Sequence, residues 1–139
     1  MKSIMSLFIP KSLTSFLDEN STVRQAIELF DVHRYSVLPL IDQDGHFAGT
    51  VSEGDLLRFL KNQAKYNIKE AEKVKVKDIQ RYREYRSLKV DSLFAEFFAL
   101  SLEQNFIPVV DDKDVFIGII KRREILKFLS EKTEGSLIG

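Results

Sequence analysis

The sequence predicts an α+β fold built from two copies of one β-α-β-β-α unit, and three observations carry that prediction. First, Pro39 and Pro108, Asp42 and Asp111, Gly49 and Gly118, and Asp55 and Glu124 are each 69 residues apart. Second, the same two apolar runs bracket these residues in each copy, Leu38–Ile41 with Phe47–Val51, and Ile107–Val110 with Phe116–Ile120. Third, a stretch of helical period precedes each proline and another follows each glycine. The repeat divides the chain into a first copy over residues 1–66, a linker over 67–77 and a second copy over 78–139.

Taken in order, the start Met1–Pro10 carries one lysine and a serine-interrupted apolar stretch. It lacks the long apolar region and small-residue cleavage site of a secretory signal, so none is read. Val23, Ala26, Ile27 and Phe30 repeat at i, i+3, i+4 and i+7 and predict the first helix, with Ser21 or Thr22 as its N-cap. The strand around Pro39 lacks one backbone donor, which predicts an edge or non-donating position. Asp42-Gln43-Asp44-Gly45 has the residue placement of a type I turn, so the flanking strands form a hairpin. A second helix opens near Ser52 and presents Leu56, Leu57 and Leu60 to the core. Residues 61–77 are charged and lack glycine and proline, which predicts a helix extension and then a solvated connector. Val74, Val76 and Ile79 read as a short strand. The second copy repeats the pattern with a thicker stripe, Leu93, Phe94, Phe97, Phe98 and Leu100, capped by Asp91 or Ser92. Its last helix opens near Lys121 with Ile125, Leu126 and Leu129 inward, and Glu131–Gly139 is expected to fray.

Composition sets limits on function. At 139 residues, with 44% hydrophobic and 30% charged residues, the chain can bury a core without staples. It has no cysteine, which excludes thiolate metal sites, redox dithiols and a cysteine nucleophile. The 21 basic and 21 acidic residues balance, so the excess expected of a nucleic-acid or membrane-surface protein is missing. No apolar run approaches the ~18 residues that span a bilayer. A cytoplasmic location is the expectation.

The residues that carry chemistry cluster at the two strand-to-helix junctions. In Gly49-Thr50-Val51-Ser52-Glu53-Gly54-Asp55, Ser52 caps the helix and Asp55 completes a capping-box-like pair. The same free N–H groups, hydroxyl and glycine (Gly54) also make an anion site. The second junction has Lys121 for the hydroxyl residue and Glu124 for the aspartate. Lys121, Arg122 and Arg123 open a helix, where exposed cations oppose the macrodipole by roughly 0.3–1 kcal/mol each. A facing phosphate turns those charges to advantage. Elsewhere, Arg81-Tyr82-Arg83-Glu84-Tyr85-Arg86 interleaves cations with aromatics, as RNA-stacking segments do. His33 and His46 are isolated and read as surface residues. Asp42, Asp44, Asp111, Asp112 and Asp114 fall at hairpin turns, where turn chemistry accounts for them better than a metal.

The Pro-apolar-apolar-Asp strand, present twice, and the Gly-x-x-Ser-x-x-Asp junction, present once and once as a variant at the fixed offset, resemble the CBS domain, and the tandem resembles a CBS pair. The resemblance implies two domains about a pseudo-twofold axis, with clefts between them that take adenosine derivatives: AMP, ADP, ATP, S-adenosylmethionine or cyclic di-AMP. It implies that Asp55 holds ribose hydroxyls and Ser52 assists at phosphate, the cleft being completed by Ile79, Gln80, Arg81 and Tyr82 with Asn105 and Phe106. The other cleft pairs Lys121, Arg123 and Glu124 with Ile9, Pro10 and Lys11 and with Tyr35, Ser36 and Val37. The ending Val115–Arg123 is similar to small bacterial CBS proteins that bind cyclic di-AMP. The implied protein is a regulatory, non-catalytic homodimer acting on a separate downstream protein, with no cofactor or metal. The alternatives are a structural dimerisation module with empty clefts and a small RNA- or DNA-binding protein.

Overall fold

The computed structural model describes residues 4–33 and 35–138, of which 132–138 are described by backbone alone. It forms two compact units, a first unit of residues 15–85 and a second of 1–14 with 86–139. The segment leading into each copy therefore packs in the unit that carries the other copy's junction.

In the first unit the elements are β2 (Leu17–Asp18), α1 (Val23–His33), β3 (Val37–Ile41), β4 (Phe47–Ser52) and α2 (Glu53–Asn62). The sheet order is β2-β3-β4, with β2 parallel and β4 antiparallel to β3. Val23, Ala26, Phe30, Leu38, Leu40, Val51, Leu56 and Phe59 form its core. Thr22 caps α1 reciprocally: the Gln25 N–H donates to its hydroxyl at 3.1 Å, and its own N–H donates to Gln25 Oε1 at 2.8 Å.

Residues 61–77 depart from the expected helix extension and solvated connector. The helix stops at Asn62, and Lys65 and Tyr66 take φ of 48° and 65°. Ala64, Ala71 and Val76 are buried in the core of the first unit, with Val74 packed against it. The Val23 N–H donates to Val74 O and the Val76 N–H to Ser21 O, at 2.9 and 2.8 Å. Four small apolar side chains at irregular spacing thus clamp a charged segment onto the start of α1. The expected strand at Val74–Ile79 is instead a 3-10 turn over Val76–Asp78.

The second unit has β1 (Ile9–Pro10), β5 (Leu88–Lys89), α3 (Phe94–Ser101), β6 (Phe106–Val110), β7 (Phe116–Lys121) and α4 (Arg122–Ile138). Its sheet order is β1-β7-β6-β5, and β1 lies antiparallel to β7 with Ile9 opposite Ile119 and Pro10 opposite Gly118. Phe97, Leu100, Ile107, Val109, Ile120 and Ile125 form the core, with Ile4, Leu7 and Phe8 packed on it. Neither Asp91 nor Ser92 caps α3. The helix starts after Leu93, whose N–H donates to the Glu96 carboxylate at 2.9 Å. Helix α4 continues through the residues expected to fray, as far as Ile138; Gly139, at the end of that stretch, and Met1–Ser3, at the start read for a signal, lie outside the described residues.

Of the two positions expected for the prolines, the structure shows the non-donating one and not the edge: Pro39 and Pro108 sit in the middle strands β3 and β6. The parallel neighbours β2 and β5 pair only from Leu40 and Val109 onward, so that side of each proline has no strand needing a donor. In the hairpins, Asp42 Oδ1 accepts the N–H groups of Asp44 and His46, and Asp111 Oδ1 those of Lys113 and Val115. The His46 N–H, foremost, holds the Asp42 carboxyl below the ordinary carboxylate range.

The repeated glycines mark where the leading segments touch the sheets. A Cβ on Gly49 would lie 2.5 Å from Glu84 Oε1, whereas one on Gly118 would collide with the backbone carbonyl of Ile9 and the ring of Phe8. Both have positive φ, 107° and 156°. Gly118→Ala should therefore cost roughly 1–3 kcal/mol in urea unfolding and exceed Gly49→Ala. The carboxylate at Gly49 can rotate aside and the Ile9 carbonyl cannot. Equal losses would contradict this account.

Candidate functional site

The first junction is organised around one buried side chain. Strand β4 runs into α2 through Ser52, whose extended backbone (φ −112°, ψ 163°) ends the strand and frees the first N–H groups of the helix. The Asp55 N–H donates to Ser52 Oγ at 3.1 Å, and the Ser52 N–H donates to Asp55 Oδ2 at 2.9 Å. The capping box expected from sequence is thus formed. Asp55 is only 1% exposed, and its other oxygen, Oδ1, accepts the N–H of Tyr82 at 3.0 Å. Arg58, one turn on, brings Nη1 to 4.0 Å from Oδ1 and stacks its guanidinium 4.5 Å from the centre of the Tyr82 ring. A buried carboxylate is costly without such donors.

Two further bonds fasten the segment that carries Tyr82. The Tyr85 N–H donates to the buried Thr50 hydroxyl at 2.9 Å. Arg81 donates through Nη1 to the carbonyls of Val76 and Lys77, and through Nε to Glu84 at 2.6 Å. Ile79 is buried in the core of the first unit. Ser52, Gly54, Asp55, Ile79, Arg81 and Tyr82 therefore belong to one compact unit. Thr50 and Arg58 were not singled out from sequence; their positions, five before Asp55 and one helical turn after it, are the signals that point to them.

The second junction uses its residues differently. Ile9 and Pro10 reach it as strand β1, paired to β7. Of the three cations opening α4, Arg122 turns back: its Nε donates to the carbonyls of Ser101 and Gln104 at 2.6 and 3.1 Å. There the cation meets the negative end of α3, which reverses the unfavourable dipole expected for it at the start of α4. Lys121 and Arg123 remain exposed and Glu124 half-buried. Asn105 and Phe106 lie at the start of β6, where the Arg122 N–H donates to Asn105 O at 3.0 Å and Gln104 Nε2 to Phe106 O at 3.2 Å. Tyr35, Ser36 and Val37 lead into β3 in the first unit; Ser36 O accepts the Glu53 N–H, and the Tyr35 hydroxyl accepts from Ser15.

The arginine-tyrosine stretch is largely committed to the protein itself. Arg81 is ion-paired to Glu84 and Arg86 to Glu103. Asp42, Asp44 and His46 bring ligand atoms within 4.8 Å of one another. The Asp42 oxygens, however, already hold the turn N–H groups, and His46 Nδ1 lies 3.3 Å from Oδ2.

This architecture is a tandem repeat of one β-α-β-β-α unit, with one Gly-x-x-Ser-x-x-Asp junction and one variant of it. A family model described as the CBS domain matches residues 4–62 and 76–131. The chain belongs to the CBS-domain family and carries two CBS domains in tandem. It is 28% identical over 120 residues to a homoserine O-acetyltransferase of Methanohalophilus mahii, covering 86% of this chain and 23% of that protein. The chain thus spans about a quarter of this curated relative. Among solved structures it resembles Listeria monocytogenes CbpB in complex with c-di-AMP, at TM-score 0.82 and 20% identity over 96% of this chain and 98% of that one. It also resembles Arabidopsis thaliana CBSX2 in complex with AMP, at TM-score 0.73 and 22% identity over 96% and 99%. Among the described residues no helix is long and apolar enough to cross a membrane.

The bonding at the first junction predicts a graded loss of stability. Ser52→Ala removes the cap hydroxyl and should cost about 1 kcal/mol. Asp55→Ala removes the acceptor for both the Ser52 and Tyr82 N–H groups and should cost about 2 kcal/mol or more. Urea unfolding of both variants checks this, and equal losses would show that the Tyr82 bond contributes nothing.

Proposed function

We propose that this chain is a regulatory module that binds an adenine nucleotide, AMP, ADP, ATP or cyclic di-AMP, and that it is not itself an enzyme. The observation that carries the reading is the Asp55 carboxylate at a helix N-terminus, covered by Arg58 and Tyr82 of the same unit. Its oxygens hold two N–H donors, while an ionised carboxylate has about four acceptor sites, so a vicinal ribose diol has lone pairs to engage. At 1% exposure, Asp55 is reached only when the Arg58–Tyr82 cover shifts. Ligand entry would thereby change how residues 81–85 are held, giving the module two states that ligand can weight differently. Family membership and the ligands named for CbpB and CBSX2 support the nucleotide class. Lys121, exposed at the second junction, would supply phosphate contact there. We place the protein in the cytoplasm, with its output on a separate protein.

Calorimetry and thermal unfolding with each of the four nucleotides test the reading. Saturation near 100 times Kd should stabilise the protein by about 2.7 kcal/mol. Asp55→Asn keeps a side-chain acceptor but loses the charge, and should weaken binding by about tenfold or more. Absence of binding to all four would favour a purely structural module, and binding to oligonucleotides alone would favour the nucleic-acid reading.

A further inference from the structure

The basic and acidic residues balance over the whole chain but not along it. Residues 15–55 hold eight acidic and two basic residues, whereas 61–77 hold six lysines and two glutamates. Both of those glutamates are already engaged, Glu70 with Lys73 at 3.2 Å and Glu72 with Arg24. Lys61, Lys65, Lys69, Lys75 and Lys77 are exposed and have no ion pair among the described residues. Crowded like charges repel one another unless a counter-charge arrives.

The backbone that carries these lysines is fixed. Lys75 bridges Thr22, and the Lys77 N–H donates to Glu19 O at 3.1 Å, beside the bonds that Val74 and Val76 make to Val23 and Ser21. Val74 and Val76 pack on the core, so the exposed Lys73, Lys75 and Lys77 alternate with them on the outside. Tyr66 and Ile68 stand among the lysines at 75% and 41% exposure. The Tyr66 N–H donates to Leu60 O at 2.7 Å, which ties the tyrosine to the end of α2.

We infer that residues 61–77 dock an extended acidic segment of a partner protein. Carboxylates at every second residue of such a segment recur about every 7 Å, the interval of alternate lysines on an extended strip. Side chains carried on a fixed backbone lose less freedom on pairing than those of a loose loop. Tyr66 and Ile68 add apolar area beside the charges, which a protein segment covers and a phosphate backbone does not. A long polyanion or an anionic membrane would also meet Asp18 and Glu19 at the Lys77 end of the strip, and like charges there oppose it. The inference rests on the reading of this chain as a module whose output is a separate protein, and it names that partner's chemistry. It invokes neither nucleotide nor Asp55.

Fluorescence anisotropy of the full chain without nucleotide tests it, with a labelled peptide of alternating glutamate and valine as the probe. A peptide of the same composition with its glutamates in one block, a single-stranded oligothymidine and phosphatidylserine vesicles are the comparators. The alternating peptide should bind most tightly. Lys73→Gln/Lys75→Gln/Lys77→Gln should weaken it about tenfold or more, and Tyr66→Asn severalfold. Lys89→Gln/Lys113→Gln/Lys127→Gln removes the same charge from the second unit and should leave affinity within about twofold. No binding by the wild type, equal losses in the two triple variants, equal affinity for the two peptides, or tighter binding of oligonucleotide or vesicles would each overturn the inference. Thermal unfolding identifies a variant that fails to fold. Lys65→Gln/Lys69→Gln, away from the bridge to Thr22, then gives the same reading: affinity should fall severalfold, and an unchanged value would overturn it. Nucleotide calorimetry on the same wild-type preparation keeps the two readings apart. Peptide binding without nucleotide binding would overturn the nucleotide reading alone, and the reverse would overturn this inference alone.

Discussion

The Asp55 carboxylate must be satisfied where it is buried, and the satisfaction comes from two directions at once. The Ser52 N–H reaches it from the end of β4, and the Tyr82 N–H reaches it from a segment 27 residues further along the chain. A single side chain therefore fixes where the strand ends, where α2 begins and where the segment leading into the second copy lies. Gly49, Thr50 and Glu84 follow from that choice. With the segment held so close, a Cβ at position 49 would displace the Glu84 carboxylate, and the Thr50 hydroxyl becomes the acceptor for the Tyr85 N–H.

The second copy meets the same topological need by other means. Its counterpart of Thr50 is Ile119, which has no hydroxyl to offer, and the leading segment is held by the backbone ladder between β1 and β7. Gly118 is needed there because a main-chain carbonyl lies against it. A ladder of backbone bonds is indifferent to the side chain at the aspartate position, which is consistent with glutamate at 124. Arg122, which looks out of place at a helix start, is in register with the end of α3. The two copies share a fold while one holds its segment by side chains and the other by strand pairing.

Much of this was legible in the sequence because the repeat doubles every signal. The helices, hairpins and capping box follow from period, turn chemistry and the Ser52–Asp55 spacing. What sequence misjudged depends on long-range contacts. Residues 61–77 carry so many charges that their few small apolar residues look incidental, yet Ala64, Ala71 and Val76 are buried. The prolines left an edge and a non-donating middle position open, because the shortness of β2 and β5 that decides for the second is not encoded near them. The cation at Arg122 was weighed only against its own helix, since nothing local points to the carbonyls of Ser101 and Gln104. The resemblance placed Tyr82 near Asp55, but the bond between them uses the Tyr82 main-chain N–H, which its side chain does not signal.

The central claim is that a nucleotide engages Asp55 and disturbs what Asp55 holds. Amide-resolved nuclear magnetic resonance during an AMP titration tests it most directly, through the N–H groups of Ser52, Asp55 and Tyr82. The account predicts that these three resonances are among the most strongly shifted at saturation and that Tyr82 loses protection from solvent exchange. Saturable binding that leaves all three unmoved would contradict it.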